Sequence, residues 1–206
     1  MQGNLVIISS PSGGGKGTLI REVLRTVPDI GYSVSLTTRE PRPGEVEGVD
    51  YHFVTAEEFR AFAEAGRFLE FAEVHGKMYG TSLEVTQRII SEGRDVILEI
   101  DVQGAGLVLE KMPDAASIFI MPPSFEVLRD RLTRRNTEGP AELALRLQNS
   151  LTEINDFEKF KYVVINDEVE AASRRLANVI LGERQRRDRQ MRAIEVILDS
   201  FDVSKF

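Results

Sequence analysis

The stretch Leu5-Val6-Ile7-Ile8-Ser9-Ser10-Pro11-Ser12-Gly13-Gly14-Gly15-Lys16-Gly17-Thr18 decides the fold. Its consecutive apolar residues predict a short buried strand. Three glycines and a lysine follow, and then Leu19, Ile20, Val23, Leu24 and Val27 recur at helical spacing. Strand, glycine loop and helix together form the context of a phosphate-binding loop. Glycines let successive backbone N–H groups turn inward with no side chain in the way. The helix that starts near Lys16 points its unpaired N–H groups and positive dipole end at the same spot. Lys16 adds a mobile full charge for terminal phosphates. The pattern G-x-x-x-x-G-K-[ST] asks for glycine at position 10 and a hydroxyl at 17, where this chain has Ser10 and Gly17, with Thr18 one place later. A metal ligand from the loop is then either Thr18, or none, with the ion held by phosphates and water.

Outward from the loop, Asp95-Val96-Ile97-Leu98-Glu99-Ile100-Asp101, Ile118-Phe119-Ile120-Met121 and Tyr162-Val163-Val164-Ile165 read as further strands, separated by helical patterns. Near-continuous apolar strands alternating with helices predict a parallel sheet covered on both faces. The residues at the carboxyl ends of such strands gather along one edge, which brings Ser10 to Lys16, Asp101, Pro122 and Asn166 together. The stretch 33–92 differs, with shorter alternating strands and more loops. Tyr32 to Thr38 reads as one strand, Arg39 to Gly48 as a charged loop, and Thr55-Ala56-Glu57-Glu58 as a capping box opening a helix. This stretch is expected to form a lobe inserted in an α/β core made of 1–32 and 93–206.

The chain has 206 residues, 42% hydrophobic and 29% charged, enough for one full-sized core with appended lobes. No apolar run approaches the length of a membrane helix and no secretory signal opens the chain. Zero cysteines exclude disulfides, thiolate zinc sites and cysteine nucleophiles. Two histidines, His52 and His75, do not make a multi-histidine metal site. A cytoplasmic location is expected. The net charge of −7 argues against a nucleic-acid partner. Arginines are nevertheless clustered, at 129–146 and at 184–192. Local arginine clusters in an acidic chain point to small anionic ligands. The 184–192 run, mixed with Glu183, Gln185 and Asp188, reads as an exposed helix with local ion pairs; self-association is left open.

Arg39-Glu40-Pro41-Arg42 sets two guanidiniums three residues apart on a stiffened turn, and such forks match phosphate oxygens. A second anion site beside a phosphate loop is the layout of phosphoryl transfer between two nucleotides. Here a family resemblance becomes specific. Ser35-Leu36-Thr37-Thr38-Arg39-Glu40-Pro41-Arg42-Pro43-Gly44-Glu45 and Gly48-Val49-Asp50-Tyr51-His52-Phe53 resemble the guanylate kinase signature. The resemblance continues through Phe68-Leu69-Glu70-Phe71-Ala72, Tyr79-Gly80-Thr81, Glu99-Ile100-Asp101-Val102-Gln103-Gly104, Arg131-Leu132-Thr133-Arg134-Arg135 and Val164-Ile165-Asn166-Asp167. It spans nearly the whole chain in order.

The resemblance implies a parallel-sheet P-loop kinase core with helices on both faces, a GMP-binding lobe at 33–92 and a helical lid at about 126–156. It implies transfer of the γ-phosphoryl group of ATP to GMP or dGMP, with Mg2+. It carries the donor phosphates onto Ser12, Gly13, Gly14, Gly15, Lys16, Gly17 and Thr18. The GMP phosphate falls on Arg39, Arg42, Tyr51 and Tyr79, and the guanine on Ser35, Glu70, Thr81 and Asp101. The lid arginines are Arg131, Arg135 and Arg146, which with Lys16 and Arg39 form the catalytic set. Asp101 either orients the metal through water or accepts from the guanine amino group. On spacing alone, Phe68-Leu69-Glu70-Phe71 would put Glu70 on the exposed face of a strand; the resemblance reverses that expectation.

Overall fold

The computed structural model describes residues 3–74, 76–135 and 140–201, and among these it leaves aside the side chains of 135 and 140–142. His75 and the expected loop at 136–139 lie outside the described residues. The chain begins with β1 (Leu5–Ser9), the glycine loop and α1 (Lys16–Thr26), followed by β2 (Ile30–Tyr32), β3 (Leu36–Thr37), β4 (His52–Phe53) and α2 (Ala56–Glu64). Next come β5 (Phe68–Val74), β6 (Lys77–Ser82), α3 (Leu83–Ser91), β7 (Asp95–Glu99), α4 (Val102–Lys111) and β8 (Ala116–Met121). The last part holds α5 (Phe125–Arg135), α6 (Pro140–Glu153), a 3₁₀ turn (Ile154–Lys159), β9 (Tyr162–Ile165), α7 (Val169–Arg184) and α8 (Arg187–Ser200).

Two sheets organise these elements. The central sheet is all parallel, in the order β2-β7-β1-β8-β9. β1 lies in its middle and every residue of β1 is buried. The strand period of two sends Val6 and Ile8 to one face, against Leu19, Ile20 and Val23 of α1 and Leu176 and Ile180 of α7. Leu5 and Ile7 go to the other face, with Ile89 of α3, Ala105 and Val108 of α4, Phe119 and Phe160. Each such buried side chain contributes roughly 1.5–3 kcal/mol over leaving it in water. Two covered faces explain why these strands read as unbroken apolar runs.

The second sheet has the order β4-β3-β6-β5 and is mixed, with β5-β6 and β3-β6 antiparallel and β3-β4 parallel. It lies entirely within residues 36–82, and among the described residues its own buried cluster is Leu36, Phe59 and Phe68. The single strand expected over 32–38 is in fact two. β2 pairs with β7 in the central sheet, while β3 pairs with β4 and β6 in the second. Residues 33–35 carry the chain from one sheet to the other, a crossing that an alternation pattern does not register. Among the described residues no helix is long and apolar enough to cross a membrane.

Local capping agrees with the sequence where it was expected. Thr55 Oγ1 accepts from Glu58 N–H at 3.2 Å and Glu58 Oε2 accepts from Thr55 N–H at 2.8 Å, completing the capping box of α2. Ser82, buried at the start of α3, accepts from Val85 N–H at 3.3 Å. Ser82→Ala is expected to cost about 1 kcal/mol, the usual scale for an N-cap. A urea midpoint equal to that of the parent would show that this cap contributes nothing.

Candidate active site

A cleft of about 780 Å³ opens where the carboxyl ends of β1 and β7 meet the second sheet. The glycine loop forms its floor on one side. Gly13 and Gly15 have φ of 83° and 87°, a region that other residues enter only with strain. A Cβ on Gly15 would lie 2.4 Å from Asn166 Nδ2, so this position has no room for a side chain. Asn166 Nδ2 donates to Gly14 O at 2.8 Å, and Arg131 Nη2 donates to Asn166 O at 2.9 Å. The Gly14 carbonyl is thereby drawn toward Asn166. Lys16 opens α1, and its Nζ stands 3.9 Å from Glu99 Oε1. The arrangement presents helix N–H groups and an ammonium at one place, a receptor for an oxyanion.

Arg39, Arg42, Tyr51 and Tyr79 line the opposite part of the cleft. Arg39 makes a two-pronged pair with Glu45, Nη1 to Oε2 at 2.9 Å and Nη2 to Oε1 at 2.8 Å. Glu45 Oε2 also accepts from Arg42 N–H at 2.7 Å. Burial alone would raise the Glu45 carboxyl; the Arg39 fork and the Arg42 N–H outweigh it and hold Glu45 below the usual carboxylate range. The Arg39 guanidinium sits 5.3 Å from the Tyr51 ring centre, and Tyr51 meets Tyr79 edge to face at 5.8 Å. Arg39, Tyr51 and Tyr79 form one contact chain, with the Arg42 backbone tied to it through Glu45.

Glu70 is 5% exposed, with Ser35 and Thr81 also buried. A break in the pleat explains its burial. Phe68 and Leu69 are both buried as well, because the register of β5 against β6 shifts between Phe68 and Glu70. A bulge of this kind re-aims the next side chain, and so the exposed-face expectation from spacing fails. Thr81 Oγ1 donates to Glu70 Oε1 at 2.6 Å. Burial pushes the Glu70 carboxyl up to about 7, with the neighbouring Asp101 adding to the rise and the Thr81 hydrogen bond and Lys111 opposing it. Asp101 lines the same cleft and caps α4, its Oδ1 accepting from Gly104 N–H at 2.9 Å.

Of the expected lid arginines, Arg146 lines the cleft and is 8% exposed, while Arg131 braces the loop as described. Arg135 ends α5 and its side chain lies outside the described residues. Thr18 is exposed at the cleft, with Arg21 Nη2 3.5 Å from its Oγ1. Glu99 was missed by sequence reasoning. It ends β7, meets Lys16, and accepts from the Tyr32 hydroxyl at 3.1 Å. Burial and the Glu99 charge push the Tyr32 phenol well up. Its available signal was the strand period, which puts Glu99 and Asp101 two residues apart at one strand end. Among the described residues no three acidic or histidine side chains converge as a metal cage. Thr18, Glu99 and Asp101 supply scattered hard oxygens, which suits an ion carried largely by phosphates and water.

A family model described as guanylate kinase matches residues 2–183. The guanylate kinase of Clostridium perfringens (strain SM101 / Type A) is 47% identical over 188 residues, covering 91% of this chain and 87% of that protein. The guanylate kinase of Thermotoga maritima is 42% identical over 195 residues, covering 95% of this chain and 94% of that one. A crystal structure of guanylate kinase from Anaplasma phagocytophilum superposes with a TM-score of 0.81 at 34% identity, covering 98% of this chain and 97% of its own.

Proposed function

The chain belongs to the guanylate kinase family, and from that premise we propose how its own residues transfer the γ-phosphoryl group of ATP to GMP. The observation that carries the reading is one cleft with two stations, a glycine loop with Lys16 at one end and the Glu70–Thr81 pair with Arg39 and Arg42 at the other. The loop from Ser12 to Thr18 receives the donor phosphates. Arg39, Arg42, Tyr51 and Tyr79 hold the phosphate of GMP in line, with Glu45 keeping the Arg39 fork and the Arg42 backbone in place. Ser35, Glu70, Thr81 and Asp101 read the guanine.

No covalent intermediate is needed, because phosphoryl transfer is mostly positioning and charge stabilisation. Lys16 and Arg146 line the cleft and stabilise the charge that grows on the moving group, Arg131 acts through the loop it braces, and Arg135 joins this set by family likeness. Thr18 and Glu99 would hold Mg2+, directly or through water, with Asp101 either joining them through water or accepting from the guanine amino group. The ion, when bound with ATP, neutralises charge on the phosphates. Within residues 33–92 the second sheet and α2 act as the acceptor lobe, α3 being packed on the central sheet, and about 126–156 act as the lid; their approach to the core excludes water from the transfer. On this reading the enzyme works in the cytoplasm, on ATP and GMP, with neither nucleic acid nor membrane as partner.

A coupled assay of ADP formation with GMP, AMP, CMP and UMP tests the reading. GMP alone should support rapid turnover. No ADP with any of the four would leave a nucleotide-binding module without catalysis. A pH dependence follows from Glu70. Only the ionised carboxylate accepts from both guanine donors, and the groups around it are Thr81, Asp101 and Lys111. Apparent GMP affinity should therefore fall as pH drops through about 7, approaching roughly tenfold per unit below it, with kcat at saturating GMP less affected. Equal GMP affinity at pH 6 and pH 8, within about twofold, would detach Glu70 from binding.

A further inference from the structure

We infer that Ser12 is a positioning residue that holds Arg146 in place beside the donor loop; the inference rests on the role proposed above for Arg146. Each polar group of Ser12 meets the same helix. Its N–H donates to Glu153 Oε2 at 2.9 Å. Its Oγ accepts from both Nε and Nη2 of Arg146, at 3.0 and 2.8 Å. Its carbonyl lies 3.1 Å from Ser150 Oγ, whose one hydrogen is shared with Arg146 O at 2.7 Å. Positions 146, 150 and 153 are spaced by four and three, which is one face of α6. That face carries buried Ser150 and nearly buried Arg146.

The loop side is equally fixed. Gly14 N–H donates to Pro11 O at 2.9 Å, closing a turn around Ser12. An arginine loses much side-chain freedom when it is ordered. A guanidinium gripped along one edge by a fixed hydroxyl has lost that freedom, which is the condition for preorganised charge stabilisation. Arg146 is thus part of the floor of the site, although it stands on a helix expected to belong to the lid.

A set of variants tests this by coupling. Ser12→Ala should lower kcat by about ten- to a hundredfold, the scale for a displaced catalytic group, with GMP affinity by calorimetry unchanged. Ser12→Thr, which keeps the hydroxyl, should retain most of the rate. Arg146→Ala should lower kcat at least as far as Ser12→Ala, and the double variant should be no slower than Arg146→Ala alone. A purely structural staple would instead make the two losses multiply. Arg146→Lys keeps the charge without the two-pronged contact, so Ser12→Ala added to it should again cost nothing more. Full kcat in Ser12→Ala, or multiplying losses, overturns the inference. Full kcat in Arg146→Ala removes the role of Arg146 itself, and the inference with it.

Discussion

Lys16→Met is expected to lower kcat by about two to three orders of magnitude, the scale of removing one preorganised charge at the reacting centre. Methionine keeps much of the length and volume and removes the ammonium. Lys16 sits at the first residue of α1, its side chain 25% exposed and 3.9 Å from Glu99. Its charge therefore adds to the helix N-terminus at the point where donor phosphates would lie. The proposed acceptor station of Arg39, Arg42 and Glu70 is built from other elements, so GMP binding should be nearly retained. Calorimetry with GMP alone separates the two effects. A GMP affinity that fell as far as kcat would mean that the donor and acceptor stations have been exchanged.

The second large effect concerns choice of base. Guanine offers N1–H and an exocyclic amino group as donors on one edge and O6 as an acceptor. Ionised Glu70 accepts only, and the Ser35 hydroxyl can donate to O6, the one hydrogen of the Thr81 hydroxyl being given to Glu70. Adenine inverts this pattern. Glu70→Gln keeps the shape and replaces one acceptor oxygen by a donor, which then faces a donor of guanine. A polar site rejects a mismatched ligand strongly because buried groups are left unpaired. The GMP/AMP ratio of kcat/KM should shrink by about a hundredfold or more. A ratio equal to that of the parent would show that Glu70 does not read the base. Stability supplies a control. Since burial raises the Glu70 carboxyl to about 7 from 4.5, the folded chain holds this proton more tightly than the unfolded one. That contribution is complete below pH 4.5 and is lost as pH rises through 7. Glu70→Gln should therefore flatten the fall in stability across that window, and a loss of GMP preference accompanied by unfolding would be told apart from one without it.

Local order was legible in the chain, and long-range pairing was not. The run from Leu5 to Thr18 announced strand, loop and helix because each signal lies within a few residues of the next. The unbroken apolar strands announced a sheet covered on both sides. β6 escaped notice because Lys77-Met78-Tyr79-Gly80-Thr81-Ser82 mixes charge, glycine and hydroxyls, and only its pairing with β5 and β3 makes it a strand. Glu70 was found through family likeness, since its burial depends on a register shift that spacing does not encode. Glu99 was missed because its partners, Lys16 and Tyr32, come from α1 and β2. Arg184 was expected in a solvated run. It instead donates to buried Asp95 at 2.7 Å and to Pro28 O at 2.8 Å, tying the end of α7 to the start of β7. Nothing near Arg184 in the chain points to Asp95.

Among the described residues the second sheet shares no hydrogen-bonded strand with the first, and its own buried cluster is Leu36, Phe59 and Phe68. The central sheet has a large cluster on each face. Cooperative opening tracks the apolar area that an element closes over. Amide protons of β3, β5 and β6 should accordingly exchange with solvent well before those of β1, β7 and β8, as a separate unit. GMP spanning Arg39, Tyr79 and Glu70 would bridge the loop before β4, β6 and β5 at once, so acceptor nucleotide should slow that exchange more than donor nucleotide does. On the proposed reading, the second sheet then owes part of its own cohesion to the nucleotide it holds.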